Sequence, residues 1–384
     1  MPPAVNLCHW LSCLFPRVKG KTVASQPLPV GCGQCGKTVD LKLCGSCRAM
    51  HYCSSEHQMM HHATHRPTCE LVRKARERFK FEEGQAMIAC DGPINLANVN
   101  DTFGADYLVV HFYLNGYLNS RQSLIRSLQH IRTRTAVEEQ LRHLMGVLEI
   151  MRSDEMGLRF LIPALMLRLN EDQKCYDFMK WYSLQGSRRY DAWSNPDMPF
   201  LDLKDADAFE DVTFVADEWN INPISQGINS AITLGLLKLR IILDLQTLQA
   251  SAAAIGRYLP VELLVMIQGY VVRSDIVANK RALLEKIDHA EEIARLEAQV
   301  LQLLESAQRF NPRIWPLILS RRTVPMTPTF DPGTLEEAQN VVAQCSPGWA
   351  ETPGAIEYLE KRAAHLRTVD SPRIRAMSRV MRNP

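Results

Sequence analysis

Within one stretch of 38 residues, eight cysteines and histidines of the eleven there fall in four closely spaced pairs. Their order is Cys32-x2-Cys35, x8, Cys44-x2-Cys47, x5, Cys53-x3-His57, x7, His65-x3-Cys69. Zinc takes four thiolate or imidazole ligands in a tetrahedron. A Cys-x2-Cys pair on a tight turn offers two thiolates from one knuckle. A pair at x3 spacing lies on one face of a helix, because residues four apart are neighbours there. Two knuckles and two helical pairs make four half-sites, and therefore two zinc sites. The segment is so poor in large apolar residues that metal is its available source of folding energy. Eight ligands close both sites, which reads as structural and not catalytic zinc. Spacing alone leaves open whether the half-sites pair sequentially or interleaved. Gly31, Gly33, Gly36 and Gly45 suit tight knuckles.

Of the chain's eleven cysteines, six lie between Cys32 and Cys69; Cys8, Cys13, Cys90, Cys175 and Cys345 are scattered. Paired spacing with interleaved histidines favours metal over disulfides, and with it a reducing compartment. The expected location is cytoplasmic, nuclear or both. Met1 to Phe15 has an apolar patch but lacks a positive segment before it, so no secretory signal is read there. The most apolar run, Ala231 to Leu248, is broken by Lys238, Arg240 and Asp244, which argues against a membrane span. Cys8 and Cys13 are read as idle thiols of a leader, with palmitoylation as the other reading.

The finger's second half, Tyr52-Cys53-Ser54 with Gln58, His65 and Cys69, resembles MYND-type zinc fingers. That resemblance implies interleaved pairing. Cys32, Cys35, Cys53 and His57 then hold one zinc, and Cys44, Cys47, His65 and Cys69 the other. Two departures from the family pattern stand out. The sixth ligand, usually Cys, is His57, with His61 as the fallback ligand. The position usually held by Trp is His62, which alters the finger's small core and its peptide-facing surface. The resemblance also implies a partner: a proline-containing peptide segment of another protein.

The expected fold is mostly α, a small two-zinc finger followed by an all-α helical-hairpin body. Residues 1–31 are read as a flexible leader and 32–69 as the finger. Residues 70–320 are read as a helical domain with an aromatic and Pro-rich insertion at 186–226. Residues 321–384 are read as a linker, two short helices and a basic tail. Within the body, Glu70 to Glu83 reads as an exposed connecting helix, and residues 90–104 as an Asn-, Asp- and Gly-rich loop. Helical periodicity marks Ala105–Leu118, Gln122–Thr133, Val137–Arg152, Leu158–Leu169, Glu171–Gln185 and Ile228–Gln249. Pro260 and Glu262 start another helix. Asp275 to Phe310 is read as the longest helix, whose drifting apolar seam suits packing within the protein better than a coiled coil. Short helices follow at Leu335–Ala343 and Ala355–His365. The insertion is read as an ordered loop anchored by its aromatics, among them Trp193 and Trp219. The body, through Pro163–Leu169, Cys175–Phe178, Lys180-Trp181 and Glu351–Ala355, resembles fungal MYND proteins with a helical body.

Three functional classes suit such a chain. The first is a non-enzymatic interaction protein. The second is a ubiquitin-ligase adaptor, because Leu259-Pro260-Val261-Glu262-Leu263-Leu264 through Ile267 and Tyr270 resembles the opening of an F-box. The third is a SET-type lysine methyltransferase, since MYND fingers also occur in such enzymes, but its Asn-His-Ser-Cys-type motif is missing. No Ser-His-Asp order, Gly-rich phosphate loop or pair of carboxylates suits catalysis, and no small-molecule substrate is expected. The net charge is only +2 and the finger lacks a basic run, which speaks against nucleic acid. The tail from Lys361 carries seven Lys or Arg against one Asp and reads as a solvated end. Trp181, Tyr182 and Trp315 are read as core anchors, and His111, His130 and His143 as ordinary histidines.

Overall fold

The computed structural model describes residues 26–103, 114–152, 154, 156–184, 195–213, 226–322, 324 and 331–369. Fourteen α-helices, two single-turn 3-10 helices and two short strands make up its regular structure among these residues. The described residues form two compact units: 28–158 with 195–200, and 159–184 with 201–369. The finger shares the first unit with the helices that follow it.

In the first unit, β1 (Lys42–Leu43) pairs antiparallel with β2 (His51–Tyr52), Lys42 opposite Tyr52. Helix α1 (Ser55–Ala89) starts inside the finger and runs on for 35 residues. Ser54 caps it, its hydroxyl accepting the His57 N–H at 3.2 Å. Pro67 lies within α1 without ending it. The stretch expected to be an exposed connector is exposed on its charged face, where Arg73 pairs with Glu77. Val72, Ala75 and Phe79, with Ala86 one turn beyond Glu83, nevertheless form a buried stripe, while Leu71 and Phe81 stay exposed. That stripe packs on α3 (Asn115–Leu128), with Phe79 and Tyr117 ring centroids 5.7 Å apart.

The expected loop at 90–104 contains a helix, α2 (Leu96–Phe103). Asn95 acts as its cap, accepting the Asn98 N–H at 2.9 Å, while Leu96 and Val99 bury. Residues that read as loop formers thus serve as a helix start. Most of the helix expected at Ala105–Leu118 lies outside the described residues, with His111 in it. Helix α4 (Arg134–Leu148) begins behind Thr133, whose hydroxyl accepts the Ala136 N–H at 3.2 Å. Arg152 then donates to the carbonyls of Asn195, Pro196 and Met198, tying residues 195–200 to this unit.

The second unit is built round α7 (Gln226–Ile255), which buries apolar residues on every side from Ile228 to Leu248. A helix apolar all round belongs in the middle of a core. Against it lie α5 (Ile162–Arg168), α6 (Asp172–Leu184), α11 (Ala290–Phe310), α13 (Leu335–Glu351) and α14 (Ala355–Thr368). Its charges are satisfied by partners. Arg240 donates to the buried Asp172 at 2.9 Å, and Lys238 to the carbonyls of Ala208 and Glu210 at 2.7 Å each. Trp315, on α12 (Ile314–Leu319), meets Trp349 of α13 edge to face at 5.7 Å.

The long helix expected over Asp275–Phe310 is three helices: α9 (Asp275–Ala278), α10 (Arg281–Glu285) and α11. Local caps break it. Asn279 ends α9, and Asp288 restarts the chain by accepting the Ala290 N–H at 2.9 Å. Before them α8 (Val261–Val271) follows Pro260, as expected. In the insertion, Trp193 and Trp219 lie outside the described residues. The anchors of its 201–213 part are Ala208, Phe209 and Val212, all buried, and the Asp177 carboxylate, which accepts the N–H groups of Asp205 and Ala206. Cys8, Cys13 and most of the basic tail also lie outside the described residues. No helix among those described is long and apolar enough to cross a membrane.

Candidate metal centres

Each knuckle closes on itself in the same way. The Gly36 N–H donates to the Cys32 carbonyl at 2.8 Å, and the Arg48 N–H to the Cys44 carbonyl at 2.9 Å. Both donors sit one residue past the second cysteine in the left-handed region, Gly36 at φ 76° and Arg48 at φ 57°. Glycine takes that conformation freely; arginine holds it at a cost. A Cβ at Gly31 would stand 2.2 Å from the Gly36 carbonyl oxygen, so this position needs glycine. Gly45 differs: open space surrounds it, and neither a close approach nor a positive φ requires glycine there.

These knuckles meet the start of α1 in two groups. Cys32, Cys35, Cys53 and His57 come together, and so do Cys44, Cys47, His65 and Cys69, the ligand atoms of each group lying within 4.8 Å of one another. The half-sites therefore interleave. Zn–S bonds of about 2.3 Å and Zn–N bonds of about 2.1 Å place tetrahedral neighbours roughly 3.5–3.8 Å apart. Cys35 Sγ lies 3.6 Å from Cys53 Sγ, and Cys32 Sγ 3.7 Å from His57 Nδ1. In the second group Cys44 Sγ lies 3.7 Å from Cys69 Sγ, and Cys47 Sγ 3.4 Å from His65 Nε2. Cys53 Sγ and His57 Nδ1 approach more closely, at 3.1 Å. Each group has three thiols and one imidazole, a donor set that zinc favours.

The electrostatics call for a cation. Burial pushes the Cys47 thiol up to about 12, and the neighbouring Cys44 and Cys69 add to it. Burial raises Cys69 as well, with Cys44 beside it. At Cys32 burial also pushes upward, but the N–H groups of Cys53, Gln34 and Cys35 together with His57 outweigh it and bring the thiol down to about 5. Three thiolates cannot share so small a volume without a counter-charge, and a divalent ion supplies it. Burial lowers His65, keeping its imidazole neutral and able to bind metal.

His61 has another place. It lies one helical turn from both His57 and His65, and its Nδ1 is 2.9 Å from the Tyr52 hydroxyl. Its ring stacks on His65 with centroids 5.8 Å apart. The fallback ligand thus stands between the two groups, supporting His65 and outside both clusters. His62, where the family has Trp, is exposed. Gln58 points its amide at Cys44 Sγ, 3.7 Å away.

Helices beyond the finger reach its backbone. Arg76 of α1 donates to the Cys47 carbonyl at 2.7 Å while gripping Glu139 of α4 with both nitrogens of its fork. The Thr133 hydroxyl donates to the Ala49 carbonyl at 2.6 Å. Sequence reasoning missed all three contacts, since their partners stand 29, 63 and 84 residues apart. His143, read as an ordinary histidine, is buried beside Glu139 and Arg121.

The comparison with protein families agrees with this geometry. The family model of the MYND finger matches residues 32–69. Residues 32–69 are a MYND finger. MYND fingers are zinc-binding protein–protein interaction modules, and this one carries two clusters of structural-zinc type. The chain as a whole matches no curated protein and no solved structure.

Proposed function

We propose that this chain is a non-enzymatic interaction protein whose MYND finger takes a proline-containing segment of a partner. One zinc is held by Cys32, Cys35, Cys53 and His57, and the other by Cys44, Cys47, His65 and Cys69. The observation that carries this reading is the closure of both sets. Four ligands fill each tetrahedron, so neither metal has a position left for a substrate. The zincs then hold a surface in shape. That surface has apolar side chains with no partner in the finger's small core: Val39, Leu43, Met59 and Met60 are exposed, Met59 at 70%. The helices serve as the scaffold. Six thiols kept reduced for metal fit a cytoplasmic or nuclear setting.

The test is titration of the zinc-loaded chain with proline-containing and proline-free peptides, followed by fluorescence anisotropy. Saturable binding that prefers proline and disappears with a chelator supports the reading. Binding that ignores both proline and zinc would sink it.

A second reading, a ubiquitin-ligase adaptor, is favoured by one observation in the second unit. Leu263, Met266 and Tyr270 of α8 are all exposed, Tyr270 at 86%, and form one stripe at helical spacing. Such a stripe suits a helix-in-groove contact. Co-purification of the ligase scaffold subunit with the wild type, lost in Met266→Lys, would favour the adaptor; its absence from both would remove that reading.

A further inference from the structure

The second metal cluster differs from the first in what grips its backbone. Cys47 and Ala49 are fully buried on either side of the exposed Arg48. Two of the three carbonyls in this turn are held from outside the finger. Cys47 accepts from Arg76, whose guanidinium is fixed by the Glu139 carboxylate of α4. Ala49 accepts from Thr133, the residue that also caps α4. Arg76 and Glu139 are themselves mostly buried, at 15% and 10% side-chain exposure, so their ion pair is shielded from water and salt. The ring of Phe79 extends this packing. It lies 4.9 Å from the His143 ring, and His143 faces Glu139. In the first cluster Cys35 is exposed, and the knuckle hydrogen bonds of Cys32 and Gly33 run to Lys37 and His51, within the finger.

We propose that Arg76, Glu139 and Thr133 are positioning residues for the second zinc site, and that they make it one cooperative element with helices α1, α3 and α4. Metal leaves this site only when the helices loosen, while the first site exchanges its metal on its own. The physical ground is the cost of opening. To spread its ligands, the second knuckle must break a buried hydrogen bond from Thr133 and a part-buried one from the charged Arg76, and leave the Glu139 carboxylate without its fork. The first knuckle needs only local motion of an exposed turn. Partner groups behind the ligands are known to govern how firmly a site keeps its metal. This inference rests on the zinc reading of the two clusters, and the experiment separates the two.

The experiment uses the full chain loaded with zinc. Release to a colorimetric chelator is followed in the wild type, in Arg76→Lys and in Thr133→Val, with total zinc per chain measured beforehand. Release from the Cys53→Ser variant identifies the second site's phase. The expected wild-type trace has two phases, one zinc leaving at least tenfold more slowly. In Arg76→Lys and Thr133→Val the slow phase speeds up at least tenfold and the fast phase is unchanged. Leu118→Ala, which loosens α3 without altering a hydrogen bond to the finger, also speeds the slow phase alone. If a variant fails to keep its helical circular dichroism, the other two carry the test. A single phase for both zincs would overturn the proposal, as would a slow phase that none of the folded variants moves. Fewer than two zincs in the wild type would instead undo the ligand reading beneath it.

Discussion

Between Cys32 and Cys69 only six residues are buried, and four of them are ligands: Cys32, Cys44, Cys47 and His65, alongside Ala49 and Tyr52. In the second unit, α7 alone buries Ile228, Ala231, Ile232, Leu234, Leu236, Leu237, Leu239, Ile241, Ile242, Leu245 and Leu248. The finger has too little apolar surface to order its chain and relies on directional bonds to metal. The helical unit relies on area removed from water and uses directional contacts only where a charge enters the core, as at Lys238 and Arg240. One chain thus holds two kinds of stability. The first answers to metal and thiol chemistry, the second to side-chain volume.

The largest test of that contrast is chelation. Stripping zinc removes on the order of 10 kcal/mol per site. Amide hydrogen exchange should then show residues 32–69 losing protection while α7 keeps it. Protection retained across the stripped finger would erase the distinction. Volume makes the reverse test. Trp349→Ala, in a position with no exposure, should cost about 3–5 kcal/mol and lower the thermal midpoint of the second unit, with zinc content unchanged. Loss of zinc alongside would mean the two kinds of stability are not separate.

Acid sharpens the comparison, because the two units respond with opposite sign. Glu139, beside the finger, is pushed upward by burial. Hydrogen bonds from His143 and Arg76 outweigh this and hold it at about 2. A carboxyl lowered in the folded state gives stability that is present above its unfolded value near 4.5 and lost as pH falls towards 2. Asp244 is pushed up to about 6 by burial, against the N–H groups of Ser274 and Arg273. Its contribution is present below about 4 and lost as pH rises through 6. Each amounts to roughly 3 kcal/mol at most. Region-resolved hydrogen exchange from pH 3 to 7 should show α4 weakening towards acid, and residues 273–274 with the middle of α7 weakening towards neutral pH. A common slope in both places would contradict the assignment. The smallest effect concerns the knuckles. Arg48→Gly removes a strained left-handed arginine and should stabilise the finger by less than about 1 kcal/mol, because glycine also loosens the unfolded chain. Destabilisation would show that the Arg48 side chain holds something in place.

What could be read from the sequence follows how local the physics is. The ligand pairs are legible because knuckle and helix geometry are set within four residues, and the mostly helical fold because its periodicity survives in each segment. The family resemblance supplied the interleaving, which the spacing left open. The break at 279–289 was hidden, since Leu283 and Ile287 keep an apolar rhythm across a point where Asn279 and Asp288 cap. The short helix at 96–103 was hidden by the same property of Asn95, a residue at home in loops and helix caps alike. His61 was a plausible ligand by type and spacing, and only the Tyr52 hydroxyl beside it shows its different place. The grip of Arg76 and Thr133 on the finger had no signal at all, because contacts between residues far apart in the chain leave no local pattern.

Zinc per chain is the measurement that reaches the central claim most directly. Purified wild type, Cys53→Ser and Cys47→Ser would be compared by atomic emission after exhaustive dialysis. Two zincs in the wild type and one in each variant are expected, with both lost in the double variant. One zinc or none in the wild type, or a cysteine variant that keeps both, would contradict the paired closed sites on which the reading of this protein stands.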